Sequence, residues 1–157
     1  MSETPGPTRI LVAEDDPALR RLIDMLLSNQ GYDVRTVADG ADALAFVETW
    51  EPHALVVDVM MPRVSGLTVC RELRATSRYA DVPIILLTAR VFDDDIQDVL
   101  DLGGIEFMSK PFNPRQLMAE LQRLVSGRTG SETSRAAVGV AHPEGEWAAA
   151  GGEAGQI

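Results

Sequence analysis

Five short strand-like stretches, each followed by a helical pattern, set the strongest limit on what this chain of 157 residues folds into. Branched apolar residues cluster in the strand-like stretches, whereas apolar residues recur every three or four positions in the segments between them. Alternation of this kind is typical of a parallel sheet with right-handed helical crossovers. The predicted strands are residues 9–13, 32–38, 54–57, 83–88 and 106–109, and the predicted helices are residues 17–29, 41–49, 67–75, 94–102 and 114–125.

Residues 9–13, 54–57 and 83–88 are almost entirely apolar, without the polar alternation of a sheet that has one face in water. Such runs are typical of parallel strands that helices cover on both faces. Residues 32–38 alternate like a strand at a sheet edge, and residues 106–109 are short and bounded by glycines and a proline. We therefore predict an α/β fold with a doubly wound, five-stranded parallel sheet.

The composition of the chain changes near Gly127, after which Gly, Ala, Ser and Glu dominate. Large apolar residues are too few there to offset the entropy of ordering the backbone. A binding segment around Trp147 is the weaker alternative to plain disorder. We expect a flexible N-terminus over residues 1–8, one folded domain over residues 9–126, and a disordered Gly/Ala-rich tail over residues 127–157.

The charge and the apolar content of the chain exclude some partners. A formal net charge of −10 disfavours attachment to nucleic acid and to anionic membranes. No apolar run approaches the roughly 20 residues of a membrane span, and the N-terminus lacks the apolar core of a signal peptide. The single cysteine, Cys70, is expected to be a small core residue on a helix. We predict a cytoplasmic protein that has no direct DNA binding and no membrane contact.

Polar side chains follow the predicted strands, at the point where each strand ends. Because the carboxyl ends of parallel strands meet at one edge of the sheet, these side chains should open onto one crevice. The residues are Glu14, Asp15 and Asp16 after the first strand, Asp58 after the third, Thr88 at the end of the fourth, and Lys110 after the fifth.

Each of these residues also has a purely structural interpretation. Asp16 is expected to cap the helix that begins at Pro17, Thr88 is able to stabilise a turn, and Lys110 is able to lie solvated on the surface. As a set, however, carboxylates on adjacent strand ends repel at low dielectric unless a divalent cation and an ammonium accompany them. Oxygen ligands suit a hard cation such as Mg²⁺ (or Mn²⁺), which phosphate oxygens commonly complete. The pattern therefore indicates phosphoryl chemistry.

Four segments, "ILVAEDDPALR", "LVVDVMMPRVSG", "PIILLTAR" and "FMSKPF", resemble in their order and spacing the receiver domain of two-component response regulators. The resemblance covers residues 9 to about 126 and implies a flavodoxin-like (βα)5 fold. The chain resembles the stand-alone type of receiver domain, which has no output domain. The chain would then be a phosphoprotein of phosphorelay signal transduction.

This resemblance assigns roles around one aspartate. Asp58 would be the phosphoacceptor, and Mg²⁺ would be held by Glu14, Asp15, Asp58 and the backbone carbonyl of Met60. Lys110 would contact the phosphoryl group. The donor would be a sensor histidine kinase or a phosphotransfer protein.

The same resemblance implies a switch and a means of setting its duration. Thr88 would form a hydrogen bond with the phosphoryl group, and Phe107 would change rotamer in response. Met60 and Arg90 would flank the approach of water and tune the lifetime of the acyl phosphate. The reshaped surface would then dock a downstream protein target.

A second class of protein also places carboxylates at strand ends. Mg²⁺-dependent phosphatases with an aspartyl nucleophile act on a separate substrate. Their sequence motif has a second Asp two residues after the nucleophile. Met60 occupies that place here. We therefore expect a receiver domain that is not a conventional enzyme but catalyses its own phosphorylation and dephosphorylation.

The acidic run from Asp93 to Asp101 is expected to cap and solvate a helix, with an acidic docking surface as the alternative.

Overall fold

A computed structural model describes residues 6–89 and 91–128 of the chain. Its five strands are β1 (Arg9–Ala13), β2 (Asp33–Val37), β3 (Ala54–Asp58), β4 (Ile84–Thr88) and β5 (Ile105–Ser109). Its helices are α1 (Pro17–Asn29), α2 (Gly40–Phe46), α3 (Gly66–Arg74), α4 (Asp94–Leu100) and α5 (Pro114–Arg128), with a short 3-10 helix at Ser77–Tyr79.

The strands form one parallel sheet in the order β2-β1-β3-β4-β5, which confirms the predicted fold class. The chain moves from β1 to one side of the sheet to form β2, and then to the other side to form β3. The carboxyl ends of β1 and β3 therefore flank the point where the winding direction reverses. In open α/β sheets, ligands bind in the crevice at this point.

Side chains of the three central strands alternate between two fully buried clusters, one on each face of the sheet. Leu11 and Val57 pack on the face covered by α2, α3 and α4, whereas Val12 and Val56 pack on the face covered by α1 and α5. Cys70 is buried in the first cluster, where burial raises the pKa of its thiol to about 12. The interpretation of this cysteine as a core residue is confirmed.

Each of the first four helices begins after a side chain that accepts a hydrogen bond from the first turn. These bonds satisfy backbone N–H groups that have no partner within the helix. The expected capping roles of Asp16 and Asp93 are thereby confirmed. The capping residues are Asp16, Asp39, Ser65 and Asp93, which accept from the N–H groups of Ala18, Asp42, Thr68 and Ile96, respectively.

Several element bounds differ from the sequence prediction by a few residues. Strand β4 begins at Ile84 because Pro83 has no backbone N–H to donate to the ladder, and only its carbonyl accepts from Leu55. Helix α4 ends at Leu100 because Gly103, at φ 92°, turns the chain back toward the sheet. Helix α5 continues to Arg128, two residues past the predicted end of the domain.

Arg74, at the end of α3, fixes the turn that leads into β5. Its guanidinium donates to the carbonyls of Gly103 (2.9 Å), Tyr79 (2.9 Å), Val82 (2.6 Å) and Gly104 (3.1 Å). Both glycines have positive φ, and a Cβ atom at Gly104 would lie 2.8 Å from a terminal nitrogen of Arg74, so the missing side chain lets the turn approach the guanidinium closely. One side chain thus joins the ends of α3 and α4 to the start of β5.

Among the described residues, no helix is both long enough and apolar enough to cross a membrane. The predicted flexible N-terminus falls partly outside the described residues. Residues 129–157 of the predicted tail, including the segment around Trp147, lie entirely outside them.

Candidate functional site

The carboxyl ends of β1, β3 and β5 bring an ammonium and two buried carboxylates together. Asp58 is the last residue of β3, and Glu14 and Lys110 directly follow β1 and β5. The side chains of Asp58 and Glu14 are only 2% and 1% exposed. Lys110 Nζ lies 3.1 Å from Asp58 Oδ2 and 3.0 Å from Glu14 Oε1. The structure thus assembles these predicted site residues in one place.

Backbone contacts fix the position of Asp58. Its Oδ1 accepts a hydrogen bond from the Met60 N–H at 3.1 Å, and the Val59 N–H donates to the carbonyl of Leu87 on the next strand at 2.8 Å. A Cβ atom at Gly66 would lie 2.1 Å from the Asp58 carbonyl oxygen. Helix α3 therefore packs directly on the backbone of Asp58 because its first residue has no side chain.

Lys110 is held by the end of β4. Its N–H donates to the carbonyl of Thr88 at 2.8 Å, which extends the pairing of β4 and β5 by one residue. The Lys110–Pro111 peptide bond is cis. The Lys110 side chain is 19% exposed, so it reaches the two carboxylates while part of it stays in contact with water.

Burial and charge act in opposite directions on the ionisable groups of this site. Burial raises the pKa of Glu14 to about 7; the Asp16 N–H and the Lys110 ammonium lower it, and Asp58 adds to the rise. Burial lowers the pKa of Lys110, but the contacts with Glu14 and Asp58 outweigh this effect and raise it. Lys110 therefore keeps its charge, and a single ammonium faces two carboxylates.

Asp15 completes a cluster of three carboxylates. One oxygen from each of Glu14, Asp15 and Asp58 lies within 4.8 Å of the other two, and Asp15 is exposed. Glu14 Oε1 is buried and has no hydrogen-bond partner among the described residues, although it makes an ionic contact with Lys110. A buried oxygen without a hydrogen bond, next to two further carboxylates, fits a hard divalent cation such as Mg²⁺. The acidic cluster is thus able to hold the predicted metal.

Thr88 and Phe107 lie on adjacent strands and on the same face of the sheet. Thr88 is fully buried, and the register places it opposite Ser109, two residues after Phe107. Phe107 is half-buried, and its ring meets the ring of Phe92 edge to face, with the centroids 5.3 Å apart. The arrangement suits the predicted coupling between these two residues, and it adds Phe92, which the sequence prediction missed.

The structure describes only one of the two residues expected to tune the phosphoryl lifetime. Met60 is 56% exposed beside the crevice, and its role stays a prediction, as does the role of its carbonyl as a metal ligand. Arg90 lies outside the described residues.

Two arginines beside the crevice were not recognised from the sequence. Arg20 donates to the carbonyl of Glu14 at 2.8 Å, from the end of the first turn of α1. Arg63 donates two hydrogen bonds to Asp39, which is 24 residues away in the chain. Arg20 binds a backbone carbonyl, which every residue has, and Arg63 binds an aspartate 24 residues earlier in the chain, so only the fold identifies these partners.

A family model described as "Response regulator receiver domain" matches residues 10–122 of the chain. The chain is 44% identical over 133 residues to the Response regulator MprA of Mycobacterium ulcerans, a match that covers 85% of this chain and 56% of that protein. It is 42% identical over 117 residues to the Probable transcriptional regulator ycf27 of Cyanophora paradoxa, covering 74% and 48%, respectively. The chain spans about half the length of the curated relatives it matches.

Solved structures with the same architecture include two bacterial signalling proteins. The receiver domain of sensor histidine kinase PA1611 from Pseudomonas aeruginosa, which has a magnesium ion in its active site cleft, matches with a TM-score of 0.69 and 34% identity over 77% of this chain and 99% of that chain. The chemotaxis protein CheY4 of Vibrio cholerae matches with a TM-score of 0.70 and 31% identity over 76% of this chain and 99% of that chain.

Proposed function

The chain belongs to the response regulator receiver domain family, and from this we propose that Asp58 accepts a phosphoryl group from a sensor histidine kinase or a phosphotransfer protein. The observation that carries the proposal is the contact of Lys110 Nζ with Asp58 Oδ2 at 3.1 Å, beside the carboxylates of Glu14 and Asp15. A buried aspartate with one ammonium and two further carboxylates is arranged for phosphoryl transfer rather than for stability alone.

The proposed reaction is an in-line displacement on phosphorus. A carboxylate oxygen of Asp58 forms a bond to phosphorus while the bond from phosphorus to the donor nitrogen breaks, and the donor histidine leaves. Lys110 balances the negative charge on the transferred oxygens from its place at the end of β5. The Met60 N–H fixes one oxygen of Asp58 before the reaction begins.

Glu14, Asp15 and Asp58 would hold Mg²⁺ or Mn²⁺, and the Met60 carbonyl is proposed as a further ligand. When bound, the cation supplies positive charge that offsets the charge of the phosphoryl oxygens. Burial raises the pKa of Glu14 to about 7, and a cation beside it would lower that pKa again.

Hydrolysis of the acyl phosphate is proposed to use the same residues, with Met60 and Arg90 setting its rate. The domain would thus act on itself and would not be a conventional enzyme. The site does not support the alternative of a phosphatase with a separate substrate. Such enzymes have a second aspartate two residues after the nucleophile, and here that position is occupied by Met60, which is exposed. A cytoplasmic location is part of this proposal.

The proposed output is a surface that changes with phosphorylation. Thr88 would move toward the phosphoryl group, and Phe107 would repack beside it, which alters the face formed by α4, β5 and α5. A downstream protein is the proposed partner, without direct DNA contact by the receiver domain. The stand-alone organisation stays a prediction, since the chain spans about half the length of its curated relatives.

Intact mass measurement tests the proposed reaction directly. The full chain is incubated with Mg²⁺ and a small acyl-phosphate donor, and the expected result is the gain of a single phosphoryl group. Asp58→Asn should gain none. Asp33→Asn is the matched control, because Asp33 lies at the start of β2 and pairs with Arg35 instead of Lys110. Full labelling of the Asp58→Asn variant contradicts the proposal.

A further inference from the structure

The loop between β3 and α3, residues 59–65, runs beside Asp58 and is held from outside the crevice by Arg63. The Arg63 guanidinium donates to both oxygens of Asp39, at 2.9 Å from Nε and 3.0 Å from one terminal nitrogen, and to Asp42 Oδ1 at 3.1 Å. We call these ion pairs of Arg63 with Asp39 and Asp42 the loop clamp. Paired bonds from a planar guanidinium fix direction as well as distance.

The backbone at Arg63 is held in an unfavourable conformation. Its φ is 66°, in the left-handed region that residues other than glycine seldom adopt. Such conformations persist where the surroundings determine them. The loop clamp and the hydrogen bond from the Val64 N–H to the Pro62 carbonyl, at 2.7 Å, hold this conformation together. Removing the clamp leaves only the backbone bond, so residues 59–65 should relax more easily toward other backbone conformations.

Val64, the residue after Arg63, makes a second contact between the loop and helix α2. A Cβ atom at Gly40 would lie 2.1 Å from the carbonyl oxygen of Val64, so the loop backbone packs directly on the first residue of α2. Arg63 and Val64 therefore seat the loop on the start of α2 by two independent contacts. Asp39 also caps that helix by accepting from the Asp42 N–H.

The sheet order places the loop clamp over the carboxyl end of β1. Strand β1 lies between β2 and β3, so a link from the loop after β3 to the loop after β2 spans the segment that carries Glu14 and Asp15. The Glu14 N–H donates to the carbonyl of Val37, the last residue of β2, at 3.1 Å. The three loops that surround Asp58 are thus joined to one another.

We propose that the loop clamp is a positioning device, which holds the β3–α3 loop against Asp58 and thereby sets the lifetime of its acyl phosphate. This inference rests on the proposed function of Asp58. Met60 links the loop clamp to Asp58, because it lies in the loop that Arg63 holds and its N–H donates to Asp58 Oδ1. A loop that moves more freely admits water more often and aligns the reacting groups less well.

Arg63 is suited to this task because its contribution to global stability is small. Its side chain is 59% exposed, and exposed ion pairs contribute little to folding. The pKa of Asp39 is lowered, first by the Asp42 N–H and then by Arg63, so that carboxylate stays charged at physiological pH. The loop clamp should therefore act on the loop without deciding whether the domain folds.

The test compares the full chain with Arg63→Ala after phosphorylation by a small acyl-phosphate donor with Mg²⁺. The donor is removed, and the decay of the phosphorylated mass is followed over time. We expect the lifetime to shorten about two- to fivefold, which is the range expected from the loss of an exposed ion pair. Arg63→Lys, which keeps the charge but loses the paired geometry, should give an intermediate lifetime.

A measurement without phosphate separates positioning from a general loss of structure. Hydrogen exchange of a peptide covering residues 59–65 should become faster in Arg63→Ala, while the thermal midpoint changes little. Asp39→Asn keeps the cap of α2 but loses the charge, so it should shorten the lifetime similarly. The double variant should then add little to either single variant.

Arg35→Ala is the matched control. Arg35 is 51% exposed and pairs with Asp33 on β2, away from the β3–α3 loop, so its removal should leave the lifetime unchanged. An Arg63→Ala lifetime equal to those of wild type and Arg35→Ala would overturn the role of the loop clamp while leaving Asp58 as phosphoacceptor. A wild-type chain that gains no phosphoryl group would instead remove the proposed function itself.

Discussion

Lys110 Nζ lies 3.1 Å from Asp58 Oδ2, although the two residues are 52 positions apart in the chain. Lys110 is also the only lysine in the sequence, so the crevice contains the one primary ammonium among the side chains. It faces Glu14 as well, at 3.0 Å from Oε1. The single cation thus holds together two carboxylates that repel each other.

Replacing Lys110 by methionine should expose this repulsion. Lys110→Met keeps the length of the side chain but leaves two buried carboxylates without their cation, so the free energy of unfolding at pH 7 should fall by about 1–3 kcal/mol. Added Mg²⁺ should recover part of the loss. Urea denaturation with and without Mg²⁺ measures both effects. Arg35→Met, which removes an exposed cation, is the control, and equal stabilities of the two variants would contradict the prediction.

Asp15 should decide whether Mg²⁺ stabilises the fold. A cation that binds only the native state adds about 1.4 kcal/mol when its free concentration exceeds Kd tenfold. We expect the thermal midpoint of wild type to rise with millimolar Mg²⁺ and that of Asp15→Ala to rise much less. Asp16→Asn is the control, since Asp16 is an adjacent exposed acid whose capping role an asparagine preserves. An unchanged response in Asp15→Ala would remove this residue from the metal site.

Glu106 should make the domain less stable as pH rises. Burial raises its pKa to about 7; Arg123 lowers it, and Glu120 adds to the rise. Between about pH 4.5 and pH 7 the unfolded chain has released this proton while the folded chain keeps it. Stability should therefore fall across that window, by up to about 3 kcal/mol, and level off above it.

The comparison with Glu106→Gln isolates this group. Glutamine has no titratable proton, so the stability of the variant should depend less steeply on pH between about 4.5 and 7 than that of wild type. Urea midpoints at several pH values, at constant Mg²⁺, give the two slopes. Glu48→Gln, a change at an exposed position, should keep the wild-type slope. Parallel curves for wild type and Glu106→Gln would show that Glu106 titrates normally in the fold.

Arg74 should contribute more to stability than its partial exposure implies. Its guanidinium donates to four carbonyls in two turns, and Arg74→Lys cannot satisfy them all. We expect the free energy of unfolding to fall by about 2–3 kcal/mol, because several carbonyls lose a charged donor. Arg71→Lys, at an exposed position on the same helix, should change it little. Chemical denaturation that finds the two variants equal would contradict this.

The fold and the core of the site could be predicted because their signals are local in the sequence. Apolar runs identify β1, β3 and β4, and a short stretch bounded by glycines and a proline identifies β5. The parallel arrangement alone brings the residues that follow these strands to one edge. Thus Asp58, Glu14 and Lys110 could be placed together before the structure was known. Asp16 could be assigned to its helix because a cap acts within a few residues.

The missed features all depend on contacts between distant segments. Arg63 meets Asp39 through a loop whose path no periodic pattern specifies, and Arg74 binds carbonyls that every residue possesses. Phe92 lies in the approach to α4, and its contact with Phe107 depends on how that approach packs. Side-chain contacts of this kind leave no spacing in the sequence, so only the folded arrangement shows them.

Thr88 should be required for phosphorylation at Asp58 to reach Phe107. The two residues share a face of the sheet on adjacent strands, and Phe107 is in edge contact with Phe92. Phosphorylation should therefore shift the NMR resonances of both rings, since a change in either ring alters the field at the other. Thr88→Ala should still gain a phosphoryl group but lose most of these shifts, because alanine has no hydroxyl to bind it. The ring of Phe46, which packs on Trp50 beside α2, is the internal control. Undiminished shifts of Phe107 in phosphorylated Thr88→Ala, or equal shifts of Phe46, would show that the signal does not pass through Thr88.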